Sequence, residues 1–314
     1  MKIISKIIKF LDKLINLIIT FFFICAIIFG GYGLYDTYYV YDKAKLSDDI
    51  LKFKPSEENN FSIASLQNIN EDIRGWIKMD NTNIDYPIVI GEDNNEYLDK
   101  DYKKEFSTAG SIFMDYRNNK DFNNDYTIIY GHNMKSNQMF ADVKRFEEKQ
   151  FFDTHEKGTL YTANDVYEIQ IYSFQKVDAF SDTTYNLRTY KDKRNKDLIT
   201  FFTQNAMYKK TVNISEKDKI LVLSTCDNAG GNERSILIGK LIKKDISEII
   251  TKETNSNNSQ ITIQRNTAKR KSDKKVFWKA IIIIIVLIIL IILLIIIIKT
   301  KSKKQKNKNI ERQN

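Results

Sequence analysis

Two long apolar runs bracket the rest of this chain and limit what it can become. Leu14 to Leu34 is 21 residues broken only by Asn16, Thr20 and small residues, and Ala280 to Ile298 is 19 consecutive apolar residues. Drawn as helices they measure about 31 and 28 Å, close to the hydrocarbon thickness of a bilayer. Lys2, Lys6, Lys9 and Lys13 precede the first run, a basic flank that keeps an N-terminus in the cytoplasm. A cleaved signal peptide is the rival reading. No small-x-small pattern follows a short apolar core, however, so an anchor is expected. Phe277 and Trp278 suit the interface before the second run, and the tail after it is strongly basic. Two crossings from an inside N-terminus return the C-terminus to the cytoplasm and leave residues 36–276 outside.

The 314 residues carry a net charge of +9, which at first suggests a nucleic-acid partner. Residues 14–268, however, hold 32 Lys and Arg against 37 Asp and Glu, a net of −5. The basic excess lies in the tails and the central domain is mildly acidic, so nucleic-acid binding is rejected. Of the two cysteines, Cys25 lies in the first apolar run, leaving Cys226 as the single thiol of the central domain. No internal disulfide is possible there. Thr251 to Asn266 is polar and reads as a stalk. The expected organisation is a cytoplasmic segment 1–13, a transmembrane helix 14–35, a folded domain 42–246, a polar linker 247–276, a transmembrane helix 277–298 and a basic cytoplasmic tail 299–314.

Within the domain, Tyr41–Phe53 and Phe61–Ile73 read as helices. The pattern then turns to strands at Trp76–Met79, Asn83–Ile90, Gly110–Asp115, Tyr126–Tyr130, Thr159–Ala163, Val166–Val177, Ile220–Thr225 and Ser235–Ile242. Tyr167, Ile169 and Ile171 alternate with Glu168 and Gln170, as a half-buried strand requires. Two helices interrupt. One lies around Gln138–Lys149, with Met139, Val143 and Phe146 on one face. The other lies around Tyr190–Tyr208, with Leu198, Phe202 and Ala206 in line. Many short strands with close breaks predict a mainly β fold closed into a barrel.

The last two strands carry the chemistry. They form a hairpin across the glycine-bearing loop DNAGGNE, with Cys226 ending one strand and Arg234 opening the next. A free thiol, with a pKa of roughly 8.5, is only a few per cent thiolate at neutral pH and needs a nearby cation or imidazolium. Arg234 could supply charge, or donate to an oxyanion as a carbonyl is attacked. The plain alternative is a small buried cysteine closing a strand. His132 follows a strand and a glycine turn in IIYGHNMKSNQMF, a position suited to projecting into a site. By itself it is more often structural. His155, in a polar loop, reads as a solvated turn residue. One central cysteine and two histidines without ligand spacing cannot close a tetrahedral metal shell, so no metal and no cofactor is expected. The acidic stretches Asp80–Asp85 and Asp93–Asp101 invite a calcium reading, but loop acids are more often solvated. Asp115 and Arg117 read as a structural pair, with a substrate role as the alternative.

Taken together these stretches resemble the sortases, class B in particular. The residues that carry the likeness are IIYGHNMKSNQMF around His132, LVLSTC ending at Cys226, Arg234 opening the next strand, and the upstream INEDIRGWIKMDNTNIDYPIVIG and AGSIFMDYRN. The resemblance implies an eight-stranded β-barrel with N-terminal helices and a helix before the cysteine strand. It also implies a membrane-bound cysteine transpeptidase of Gram-positive bacteria. The substrate would be a surface protein whose C-terminal sorting signal holds a short Pro-Thr-containing pentapeptide. By motif position, Cys226 would be the nucleophile, His132 the general acid and then base, and Arg234 the brace for the carbonyl and oxyanion. Ser224 and Thr225 would line the cleft beside the thiol. The acyl group would pass from a thioester to an amine of cell-wall peptide or a pilin lysine. Val222 stands where the family often has Thr. The second transmembrane segment is more like class C, whose Asp-Pro-aromatic lid motif is absent here. A cysteine peptidase with water as acceptor, or a non-catalytic membrane-tethered binding domain, are the competing readings.

Overall fold

The computed structural model describes residues 2–55, 63–134, 136–187, 194–226 and 231–244. The expected linker, second transmembrane helix and basic tail lie outside the described residues.

The chain begins with α1, a single helix over Lys2–Lys43. A break after the apolar run and a new helix over 41–53 were expected. Instead α1 continues, because Tyr35 to Val40 contains no proline, glycine or asparagine to stop it. The Tyr35 and Tyr39 rings stack one turn apart at 6.3 Å. Lys43 closes the last turn, where a cation suits the helix dipole. Two short helices follow, α2 (Asp48–Leu51) and α3 (Ile63–Gln67). The helix expected to reach residue 73 ends sooner, since Ile73 is already paired in the first strand.

Nine strands are described: β1 (Ile73–Met79), β2 (Asp85–Ile90), β3 (Ile112–Met114), β4 (Tyr126–Tyr130), β5 (Lys157–Thr162), β6 (Val166–Asp178), β7 (Tyr208–Lys209), β8 (Lys219–Cys226) and β9 (Glu233–Lys243). Eight of them close a barrel in the order β5-β1-β2-β3-β4-β8-β9-β6, and β6 returns to pair with β5. The two-residue β7 pairs with Ser173 and Phe174 of β6, just beyond the stretch that pairs with β5. The β2–β3 and β4–β8 pairings are parallel, while the others are antiparallel.

Helix α4 (Ala141–Arg145) lies within the helix expected at Gln138–Lys149, α5 (Lys149–Thr154) follows it, and α6 (Asp182–Tyr185) and α7 (Arg194–Gln204) precede β7. His155 is not a solvated turn residue. Its Nδ1 lies 2.7 Å from the Phe151 carbonyl oxygen, and its ring stacks on Phe151 at 3.8 Å.

Two apolar layers sandwich the strands that matter most. Ile129, Leu221, Leu223, Leu237, Phe140 and Val143 fill the barrel interior. Ile128, Val222, Ile236 and Ile238 face outward, where Leu198 and Phe202 of α7 cover them. Burial on both faces explains why β4, β8 and β9 are written as continuous apolar runs rather than alternating ones.

Candidate active site

The positions of the three candidate residues follow from strand register. Parallel β4 and β8 pair in step from Tyr126 with Ile220 to Tyr130 with Ser224. The pairing continues past the strand end. Gly131 N–H donates to the Ser224 carbonyl at 3.2 Å, and the Thr225 hydroxyl donates to the Gly131 carbonyl at 2.7 Å. Carried one step further, the same register puts the backbone of His132 level with that of Cys226. On the other side, Cys226 is the final antiparallel partner of Arg234. His132, Cys226 and Arg234 therefore occupy one row across the ends of three adjacent strands.

Two glycines make room for the histidine. A Cβ on Gly131 would stand 2.5 Å from Ile112 Cδ1 and 2.7 Å from Phe140 Cγ. Gly110 has φ +59°, and a Cβ there would meet the Leu98 carbonyl oxygen at 2.6 Å and His132 Cδ2 at 3.0 Å. Only glycine allows that close approach. The approach brings the Leu98 carbonyl 2.8 Å from His132 Nε2. A carbonyl only accepts, so Nε2 carries the proton and Nδ1 is the nitrogen left for proton exchange. The loop closes behind the ring through Phe140 N–H, which donates to the His132 carbonyl at 2.9 Å.

Arg234 is held more lightly. Its guanidinium donates to the Gly231 carbonyl at 2.9 Å and the Glu233 carbonyl at 3.2 Å. No carboxylate pairs with it among the described residues, and five donors exceed what two carbonyls consume.

Ser224 and Thr225 are both buried. Thr225 spends its hydroxyl on Gly131, and the Ser224 hydroxyl lies 2.9 Å from the Tyr185 hydroxyl. Tyr185 belongs to a bracing network. Fully buried Asp115 accepts Arg117 Nε at 2.8 Å and Nη2 at 2.6 Å, the Tyr130 hydroxyl at 2.9 Å and Asn94 Nδ2 at 2.9 Å. Arg117 also donates to the Tyr185 carbonyl at 2.8 Å, tying α6 to the barrel over Ser224. Burial pushes the Asp115 carboxyl upward, but the bonds from Arg117 and the other donors outweigh it and hold the group below its ordinary value. The same burial, with the Asp115 charge, drives the Tyr130 phenol far up, so it stays a neutral donor. The Asp115–Arg117 pair was expected. Tyr130, Tyr185, Asn94 and Gly110 were not, because no local spacing connects them. Among the described residues no three His, Cys, Asp or Glu side chains are grouped to hold a metal ion.

A family model described as the sortase domain matches residues 77–242, more than half of the chain and inclusive of the whole row. Sortase B of Listeria monocytogenes is 34% identical over 247 residues, covering 76% of this chain and 100% of the relative. The chain is a class B sortase. Solved structures agree on the fold of this sortase. A Staphylococcus aureus sortase B–substrate complex is 32% identical, with a TM-score of 0.54 over 58% of this chain and 85% of that one. A Streptococcus pyogenes class B sortase involved in pilus biogenesis is 31% identical, with a TM-score of 0.53 over 57% and 97% of the two chains. The protein is accordingly an enzyme, a cysteine transpeptidase built on an eight-stranded barrel.

Proposed function

We propose that this sortase cleaves the C-terminal sorting signal of a surface protein at Cys226 and hands the acyl group to an amine. The Cys226 thiol passes its proton to His132 Nδ1, and the resulting thiolate attacks the scissile carbonyl, its electron pair forming the C–S bond as the carbonyl becomes an oxyanion. Arg234, with unspent donors at the same row position, stabilises that charge. The oxyanion collapses, the C–N bond breaks, and His132 Nδ1–H gives its proton to the departing amine. A thioester remains. An incoming amine loses its proton to Nδ1, attacks the thioester, and expels the thiolate, which takes that proton, so atoms and charges return to their starting state. Ser224 and Thr225 floor the cleft, with Thr225 locking the β4 and β8 ends that carry the reacting pair.

The observation that supports this reading is the row itself, which brings a cysteine, a histidine and an arginine from distant sequence to one line of backbone. α1 anchors the enzyme, with the barrel outside the cytoplasm and both termini inside. Cell-wall peptide amines and pilin lysines both meet the chemistry of the resolving step. The pilus-forming relative is the reason to assay the second alongside the first.

The test is mass spectrometry of the full chain incubated with a panel of Pro-Thr-containing sorting pentapeptides. An acyl adduct on Cys226, absent from Cys226→Ala, is expected. No adduct in the wild type, or the same adduct in the variant, ends the proposal. Added triglycine or a lysine peptide should convert adduct to ligated product. Release of the free acid only, whichever amine is present, would make water the acceptor and the enzyme a peptidase.

A further inference from the structure

The join between α1 and the barrel contains no slack. Side chains of α1 described as far as Thr37 are exposed, and burial begins at Tyr38. From there contacts follow almost residue by residue. The Tyr41 carbonyl accepts Gln138 Nε2 at 3.2 Å, and Lys43 Nζ lies 3.3 Å from Glu105. Ala44 is 1% exposed within the barrel core, and Ser47 N–H donates to the Tyr102 hydroxyl at 3.3 Å. Asp49 pairs with Lys103, and Ile50 is wholly buried. The contact at Gln138 leads directly to the active site. Met139 and Phe140 come next in the chain, and Phe140 N–H holds the His132 carbonyl. A membrane helix and a catalytic histidine are thus joined through one short loop.

The helix also carries its own depth mark. Tyr35, Tyr38, Tyr39 and Tyr41 crowd the segment after the apolar run, and Tyr32 lies at its outer end. Such aromatic belts settle at the membrane–water interface. Leu34 and Tyr41 are seven residues apart, about 10 Å of helix. The headgroup layer is itself roughly 5–7 Å deep on each side. The barrel therefore starts immediately above the headgroups.

We propose that α1 is a rigid strut that fixes the catalytic row at one height over the bilayer, so that the enzyme selects substrates by spacer length. The spacer is the stretch between the scissile bond and the substrate's own membrane segment. This rests on the sorting-signal reading above. A flexible tether would let the row visit a range of heights, growing as about 5–6 Å times the square root of its length. A docked helix permits one. A substrate anchored in the same bilayer then reaches the row only when its spacer, at up to about 3.3–3.6 Å per residue, spans that height. Too short a spacer cannot reach. Too long a spacer dilutes the scissile bond, by roughly the −3/2 power of length.

The experiment uses the full chain in phosphatidylethanolamine–phosphatidylglycerol vesicles. The probe is the pentapeptide that acylates best, either free in solution or fused through Gly-Ser spacers of graded length to an apolar transmembrane helix. The wild type should show one optimal spacer, no turnover below it, and about a threefold loss of rate on doubling it. Seven alanines inserted between Asp36 and Thr37 add about 10 Å while nearly preserving helical phase, and should raise the shortest productive spacer by about three residues and lengthen the optimum with it. Replacing residues 35–40 with a flexible Gly-Ser linker about twelve residues long should flatten the profile. All three proteins should cleave the free pentapeptide equally. A flat profile in the wild type, or an optimum that the alanine insertion leaves in place, overturns the strut while leaving the transpeptidase reading intact. Failure of every enzyme on the free pentapeptide overturns both.

Discussion

The two flanks of Cys226 are built to different standards. On the β4 side the backbone continues in register past the strand end, two glycines admit the histidine loop, and a buried carboxylate gathers five donors behind it. On the β9 side a hairpin presents an arginine that, among the described residues, touches only nearby carbonyls. The difference matches the work proposed for each. A proton must move along a fixed path, so the histidine's tautomer and direction need a stiff frame. Charge stabilisation by a guanidinium tolerates more freedom, and a donor already spent on a protein carboxylate would be useless to an oxyanion. Stability should therefore reside on the histidine flank, and chemistry without stability on the arginine flank.

That division can be broken at several points. The largest effect is at the centre: Cys226→Ala should give no acyl adduct and no product, while the thermal midpoint stays within about 3 °C of the wild type. Loss of folding instead would make the cysteine a packing residue. Arg234→Ala should lower kcat/KM by about 10²–10³-fold with an unchanged urea midpoint, and Arg234→Lys should recover only part of the loss. A matching drop in stability would show the arginine flank to be framework after all. Asp115→Ala should do the reverse. It leaves the half-buried Arg117 without its partner and should cost about 3–5 kcal/mol in urea unfolding.

The pH dependence of that stability has a definite sign. The folded Asp115 carboxyl lies below its ordinary value, so its contribution is complete above the unfolded pKa of about 3.9. It is lost as pH falls through the folded value. Urea midpoints of the wild type should thus decline below about pH 4, and Asp115→Asn should flatten that decline. The smallest effect is expected at Thr225→Val, which removes the clasp on the Gly131 carbonyl. About 1 kcal/mol of stability and a severalfold fall in kcat/KM should follow.

Much of the barrel was legible because its strands are apolar runs punctuated by turn residues. All eight closing strands coincide with expected ones, within a few residues at each end. β7 was invisible, since two residues pairing with Ser173 and Phe174 leave no pattern. The continuation of α1 was missed for a related reason: its signal is the lack of a stop between Tyr35 and Lys43, and absent punctuation is easily overlooked. α5 hid in a segment where Phe151 and Phe152 sit among charges. The row residues could be read locally, each at a strand end or beside a glycine. The frame behind them could not. Tyr130, Asp115, Arg117, Tyr185 and Ser224 are joined by hydrogen bonds between segments far apart in the chain, and spacing carries no trace of such a meeting. The level placing of the β4 and β8 ends depends on their parallel pairing, which no turn sequence announces.

That parallel pairing also governs when the enzyme becomes dangerous. Unlike a hairpin, it joins strands whose clasp, from Thr225 to Gly131, closes a loop of 94 residues. Contacts of that span form late, because the entropy of so large a ring must be overcome before the pairing rewards it. On the topology proposed above, a polypeptide threading outward through the membrane would therefore carry an ordinary, sluggish thiol. In the mechanism proposed above, His132 comes level with Cys226 only when the barrel is almost finished, so the capacity to cut and join proteins is switched on by the completion of folding itself.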